Sequence, residues 1–465
     1  MDRSRKSHAY HVAWSVDVES VRHDVTVRIG GGRLLEIVSG CAADAVELGQ
    51  VALIPGLVNA HTHLEFSLLP EPIPTTGRFT DWIRRVVAYR REHADVTSSA
   101  IRAGVAESLR AGTTMIGDIA TTGWAPRDYS AAGFSGVVFQ ELLGLGDERV
   151  ASQCELARSI SAHPTPSQAA LAEMPVQFGL SPHAPYSVHP DIFRTAVEVA
   201  NEFSRPVAMH LAETPAELEL LADGTGEFRE LLTEFGIWRE GLFGGQTPTG
   251  SHFDSVTRSV SEGNKGKRLL RSPSPSLTSR VTNVSAIAQT PLDYLKRLAA
   301  CPRALVVHGN YLDDGELQFL AAHPQMTLVY CPRTHAAFGH REHPWRRLLE
   351  LGGSVALGTD SRASNPDLSL FAELQFLAAR HPDVSHIELL KLGSHSGRAA
   401  LLGDAADCDR ADFCVVEWDA TSSPDPVHNL FAAGNKVVGT MIGGDWRFTA
   451  DGFSVADGST SCGRG

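Results

Sequence analysis

The chain has 465 residues, 43% of them hydrophobic and 20% charged, a balance that excludes an intrinsically disordered or multi-span membrane protein. A formal net charge of -13 argues against a nucleic-acid groove, which needs clustered Lys and Arg, and favours a small neutral or cationic substrate. The seven cysteines are scattered, no apolar run follows the charged N-terminus, and no stretch reaches the roughly 18 apolar residues of a membrane span, so a reduced, cytoplasmic protein is expected.

In chain order, residues 24–38 alternate V-T-V-R-I around a Gly-Gly-Gly turn, which reads as a β-hairpin within an N-terminal segment 1–55. From 56 to 403, short β-rich runs alternate with helical periodicity, as in 100–111 and 190–203, and alternation of this kind means parallel strands joined by helical crossovers. Eight such runs begin at Leu57, Thr113, Gly136, Val176, Val207, Ala304, Thr327 and Ser354, the number that closes a (β/α)8 TIM-like barrel. Between them, 243–289 holds nine serines, six Lys or Arg and two acidic residues, and is expected to be a disordered insertion rather than a basic docking tail. A second hairpin pattern, 436–448 around Gly443-Gly444, lies in the C-terminal segment 404–465. The two outer segments together are expected to form a small β-sandwich, followed by a frayed tail.

In a barrel, chemistry sits at the C-terminal ends of the strands. His61-Thr62-His63 follows the first run, and strand alternation turns both imidazoles the same way. Alone, that pair also fits two loop histidines. His210 after the fifth run and Asp360 after the eighth complete a set of three imidazoles and one carboxylate, which suits one divalent metal, Zn²⁺ before Fe²⁺, and leaves a position for water. Glu213 and His308 fall at the same mouth, where a glutamate in an apolar pocket can move a proton and a histidine can orient water; a helix-end carboxylate and a core histidine are the plainer readings. His183, held in Ser-Pro-His-Ala-Pro-Tyr, reads as a substrate contact or a structural turn. Cys331 reads as a buried strand residue.

These motifs together resemble the amidohydrolase superfamily in its aromatic deaminase and chlorohydrolase branch: Pro55-Gly-Leu-Val-Asn-Ala-His61-Thr-His63-Leu, Gly179-Leu-Ser-Pro-His183-Ala-Pro-Tyr186, His210-Leu-Ala-Glu213 and Gly358-Thr-Asp360-Ser follow in order. The resemblance implies one metal on His61, His63, His210 and Asp360, Glu213 as proton shuttle, His308 positioning water and His183 touching substrate. Within the branch, His63-Leu-Glu65-Phe66-Ser67 followed by Phe79-x-x-Trp82-Ile and a trailing arginine is similar to aminodeoxyfutalosine deaminases, with methylthioadenosine/S-adenosylhomocysteine deaminases sharing most motifs. It adds Glu65 and Trp82 as expected substrate contacts, with Phe79 and Trp82 either a lid or loop packing. The branch often carries His-Cys-Pro-x-Ser-Asn where this chain has Tyr330-Cys-Pro-Arg333-Thr334-His335, so a changed substrate contact is expected there.

The expected reaction is hydrolytic deamination of an aminopurine nucleoside-like substrate, with Glu213, His308 and Asp360 catalytic. Hydrolysis of a cyclic amide or a carbon–halogen bond is the alternative on the same site, and an inactive metal-binding scaffold is the rival from another class. The expected partner is a small molecule, not nucleic acid or a membrane, and a homodimer is allowed.

Overall fold

A computed structural model describes residues 7–130, 133–162, 176–244, 290–403, 409–418 and 426–455. The expected insertion at 243–289 lies, apart from its first two residues, outside the described residues, as does the tail beyond 455.

Five N-terminal strands come first: β1 (Ser7–Val16), β2 (Val21–Gly30), β3 (Arg33–Ser39), β4 (Val46–Glu47) and β5 (Val51–Pro55). The chain returns to them at its far end with β14 (Phe413–Glu417), β15 (Lys436–Ile442) and β16 (Asp445–Thr449), in the order β16-β15-β14-β5-β1-β2-β3 with β4 on β1. Both hairpins turn on glycine pairs. Gly31 and Gly32 have φ of 60° and 80°, Gly443 and Gly444 of 57° and 79°, the left-handed conformations a two-residue hairpin turn requires and other residues resist. The sheet folds back on itself: Tyr10 meets Trp446 edge to face at 5.6 Å, and Val12, Val27, Leu53, Val415 and Met441 share one apolar core. This is the sandwich expected from the two outer segments.

Between the halves runs the barrel, β6 (Leu57–Thr62), β7 (Thr113–Ala120), β8 (Ser135–Leu142), β9 (Val176–Pro182), β10 (Val207–Leu211), β11 (Ala304–His308), β12 (Met326–Tyr330) and β13 (Ser354–Leu357). Each strand pairs in parallel with its sequence neighbour. Nearly every strand residue is buried, as two-sided burial inside a ring of helices demands. The ring closes at its C-terminal rim. Thr62 bridges Asp360, the amides of Thr359 and Asp360 both donate to the His61 carbonyl at 3.1 Å, and Asn59 exchanges two hydrogen bonds with Thr359. Closure and the predicted metal ligands therefore occupy the same few residues.

Cys154, Cys301, Cys331 and Cys414 are free. No helix among the described residues is long and apolar enough to cross a membrane.

Candidate active site

Three residues at the barrel mouth adopt left-handed backbone that non-glycine residues avoid: Ala212 (φ 53°), His308 (φ 67°) and Asp360 (φ 56°). Each such conformation costs on the order of 1 kcal/mol and persists only where surrounding bonds impose it. All three stand at or within three residues of the C-terminal ends of barrel strands, so the strain lies where the chain leaves the sheet.

The imidazoles of His61, His63 and His210 converge. His63 Nε2 and His210 Nε2 are 3.3 Å apart, and Asp360 Oδ1 lies 3.6 Å from His61 Nε2 and 3.8 Å from His63 Nε2. The coordinating atoms of His61, His63 and Asp360 fall within 4.8 Å of one another, as do those of His61, His210 and His308. Both nitrogens of His61 and Nδ1 of His63 are buried without a hydrogen-bond partner. Burying unpaired ring nitrogens is unfavourable unless something satisfies them, and a divalent cation does. Second contacts fit as well: His210 Nδ1 donates to the His183 carbonyl at 3.0 Å, which leaves Nε2 as the lone pair facing the centre. Burial, reinforced by the neighbouring imidazoles, pushes His63 and His210 well below the usual histidine range, so both stay neutral and able to ligate.

Beside this cluster, Glu213 Oε1 lies 3.5 Å from His308 Nε2. Burial first, then the carboxylates of Asp360 and Glu217, raise the Glu213 carboxyl well above the usual range. His308 is likewise pushed far down by burial and stays neutral. His183 Nδ1 lies 2.7 Å from Ser187 Oγ, whose own proton goes to the Ala184 carbonyl, its Nε2 lies 3.7 Å from Glu141 Oε1, and burial drives the imidazole down to about 3.

A cavity of about 370 Å³ opens over these groups, with His63, His183, His210, Glu213, His308 and Asp360 on its floor. Its outer wall is apolar, built by Ile83, Val86 and Val87 from the helix Phe79–Glu92 and by Leu231, Leu232 and Phe235 opposite them. Phe79 and Trp82 stack at 5.5 Å and pack on Phe338, and Trp82 Nε1 donates to the Ala363 carbonyl. Both residues line the cavity, so they are wall and packing at once. Arg78 and Arg84 tie the helix across to Glu227 and Glu234.

Two expectations change. Glu65, expected to touch substrate, is not part of the cavity wall: its carboxylate receives Arg90 at 2.6 Å and Thr121 Oγ1 at 2.9 Å. Arg90, which does line the cavity, spans Glu65 and the buried Glu141. The Tyr330–His335 departure does not reach the cavity either. Arg333 binds Glu373 and Asp367, Thr334 pairs with Ser364, and Tyr330 stacks on His343 at 3.9 Å, all behind the floor. Cys331 is buried, with its thiol pushed well up by burial, and is no nucleophile. Sequence reading passed over Arg90, Glu141 and Glu217; the signal was three charged residues at positions the apolar pattern should bury.

At the mouth of a parallel barrel, strand ends turn three imidazoles and a carboxylate on one point beside a buried glutamate, a donor set suited to a divalent cation that activates water. Residues 52–255 match the amidohydrolase family. The 5-methylthioadenosine/S-adenosylhomocysteine deaminase of Pyrococcus furiosus is 25% identical over 403 residues, covering 82% of this chain and 78% of its own. Among solved structures, Helicobacter pylori aminofutalosine deaminase in complex with methylthio-coformycin aligns with a TM-score of 0.69 at 19% identity, covering 94% of this chain and 99% of its own. A zinc-bound adenosine deaminase from Xanthomonas campestris aligns at 0.68 and 20% identity, covering 97% and 94%. These two likenesses establish the architecture.

Proposed function

We propose that the protein is a hydrolytic deaminase of an adenosine-like nucleoside, of the 5-methylthioadenosine/S-adenosylhomocysteine or aminodeoxyfutalosine kind, replacing the ring amino group by oxygen and releasing ammonia. The observation that carries this reading is the position of Glu213, buried beside the ligand cluster with Oε1 3.5 Å from His308 Nε2, where burial raises its carboxyl well above the usual range. Deamination of an aromatic amidine needs a proton delivered to the ring nitrogen as water adds to the adjacent carbon, and then a second delivered to the departing amine.

His61, His63, His210 and Asp360 would hold a divalent cation, zinc by preference given the imidazole-rich donor set. When bound, it supplies Lewis-acid chemistry that makes water nucleophilic at neutral pH. Glu213 gives its proton to the ring nitrogen. His308 orients the attacking water through Nε2, and Asp360 takes up the water's proton. His183, on the cavity lining, contacts the substrate ring. Glu213, recharged by the proton of the added hydroxyl, then protonates the leaving nitrogen, which departs as ammonia, and the proton held by Asp360 returns to Glu213, so one water is consumed for each C–N bond broken. The apolar wall of Ile83, Val86 and Leu231 suits a substituent carried beyond the ring, and relatives named for methylthioadenosine and aminofutalosine support it.

The test is ammonia release from the zinc-loaded protein against adenosine, methylthioadenosine, S-adenosylhomocysteine, 5'-deoxyadenosine and aminodeoxyfutalosine. Turnover of at least one with stoichiometric ammonia is expected. Turnover confined to cyclic amides or chlorinated triazines, with none on the purines, would put the protein in a different branch of metal hydrolysis.

A further inference from the structure

We infer that Glu217 is the positioning residue for Glu213, a buried carboxylate whose two oxygens fix the backbone from which the proton-transferring side chain projects. Glu217 is fully buried, and its Oε1 accepts the Ala212 amide at 2.8 Å while Oε2 accepts the Glu213 amide at 2.9 Å. The carbonyls of the same two residues are bound as well: Asn310 Nδ2 donates to the Glu213 carbonyl at 3.0 Å, and the Tyr311 amide donates to that of Ala212 at 2.9 Å. Every backbone polar group of the pair is therefore tied, and Ala212 is held in its left-handed conformation.

Ordinary helix capping does not explain the arrangement. Glu217 stands at the third position of the helix Pro215–Asp223, behind the cap Thr214, where an acid commonly reaches back to the cap's own amide. Three other helices of this chain do that, with the pairs Thr290 and Asp293, Asp313 and Glu316, and Ser385 and Glu388. Glu217 instead passes the cap and grips the two residues before it, the second of which is Glu213. Only an ionised carboxylate brings two acceptor oxygens and no donor to a pair of adjacent amides. Glutamine would leave one amide facing an NH₂ group. Burial raises the Glu217 carboxyl to about 7 against the lowering effect of the amides it accepts, and in its ionised form it places a negative charge behind Glu213 that raises that carboxyl further.

This inference rests on Glu213 moving the proton, and the experiment separates the two. Glu213→Gln, Glu217→Gln and Asn310→Ala are each prepared as the zinc-loaded full chain, and kcat, KM, bound zinc and the pH profile of kcat are measured. For Glu217→Gln the expected result is a fall in kcat of roughly 30-fold or more, because a displacement well under 1 Å suffices, with KM within about twofold and zinc at the wild-type level. Its alkaline limb should move to lower pH. Asn310→Ala, which removes one tether without touching a charge, should show the same kcat-only pattern at about three- to tenfold, and decides the matter if Glu217→Gln does not fold. A folded, zinc-replete Glu217→Gln with kcat within about twofold of wild type overturns the inference, as does loss of kcat matched by loss of zinc. If Glu213→Gln itself turns over normally, the proton-transfer reading falls first. If Glu213→Gln is inactive while Glu217→Gln and Asn310→Ala are unaffected, only the positioning role falls.

Discussion

Ser364 Oγ donates to Asp360 Oδ2 at 2.5 Å and stands 3.0 Å from Thr334 Oγ1, which also reaches the Thr359 carbonyl at 3.4 Å. One oxygen of Asp360 is thereby oriented, and the other is left to face His61 and His63. Removing the hydroxyl should loosen the carboxylate without removing a ligand. Ser364→Ala is predicted to weaken zinc affinity by roughly 10- to 100-fold, measured by competition with a chelating dye. Unchanged affinity would show that Asp360 is oriented by the backbone alone.

The raised pKa of Glu213 gives activity a definite pH sense. An acid that must be protonated to act is fully competent below its pKa and fails as pH rises through it, so kcat should fall on the alkaline side. Because burial also keeps His63 and His210 neutral far into the acid range, the acid side should stay flat well below the pH at which free histidines protonate. Glu213→Gln, which keeps the shape and loses the titrating proton, is predicted to lower kcat by about 10²- to 10⁴-fold with zinc retained. A pH–rate profile that falls toward acid and stays level toward alkali would contradict this assignment.

Asp118 offers a separate test through stability. Its carboxyl is buried beside Tyr129 and the Leu64 amide, and burial raises it to about 8. The folded state therefore keeps a proton that the unfolded chain releases near pH 4, and stability should decline as pH rises from about 4 to about 8, by at most about 1.4 kcal/mol per pH unit. Denaturant titrations at several pH values should find a shallower decline for Asp118→Asn than for wild type. Parallel slopes would mean that Asp118 is ionised in the folded protein at neutral pH.

Arg90 compensates two carboxylates, Glu65 and Glu141, both nearly out of water. Arg90→Met leaves both without a counter-charge and is predicted to destabilise the fold by roughly 3 kcal/mol or more, as breaking a buried ion pair does. Met at position 90 with Gln at 65 and 141 should recover much of that loss. A single Arg90→Met variant with unchanged thermal stability would show that the two carboxyls are already neutral.

Much of this was legible in the sequence for physical reasons that can be named. A strand buried on both faces is a short apolar run, and eight such runs separated by helical periodicity admit few arrangements; His61, His210 and Asp360 gained meaning from standing at the ends of them. The glycine pairs 31–32 and 443–444 marked hairpins because few other residues tolerate those turns. Side-chain direction in a loop leaves no such trace. Glu65 follows the His-x-His motif by two residues and looks available to substrate, yet an arginine 25 positions later claims it, and no local pattern announces that pairing. Arg333, Thr334 and His335 differ from the family's usual residues, but whether a residue after a strand lines the mouth or lies behind it depends on the next turn of chain. Glu217 reads as an ordinary helix-start acid, and only the geometry of its two oxygens sets it apart.

The most direct measurement runs the zinc-loaded protein on its best purine nucleoside in ¹⁸O-labelled water, following the product by mass spectrometry and ammonia by a coupled assay. The account predicts one ¹⁸O on the ring carbon that carried the amino group and one ammonia for each turnover, with both lost in Glu213→Gln. Product formed without ammonia, or ammonia formed without ring ¹⁸O, would contradict it.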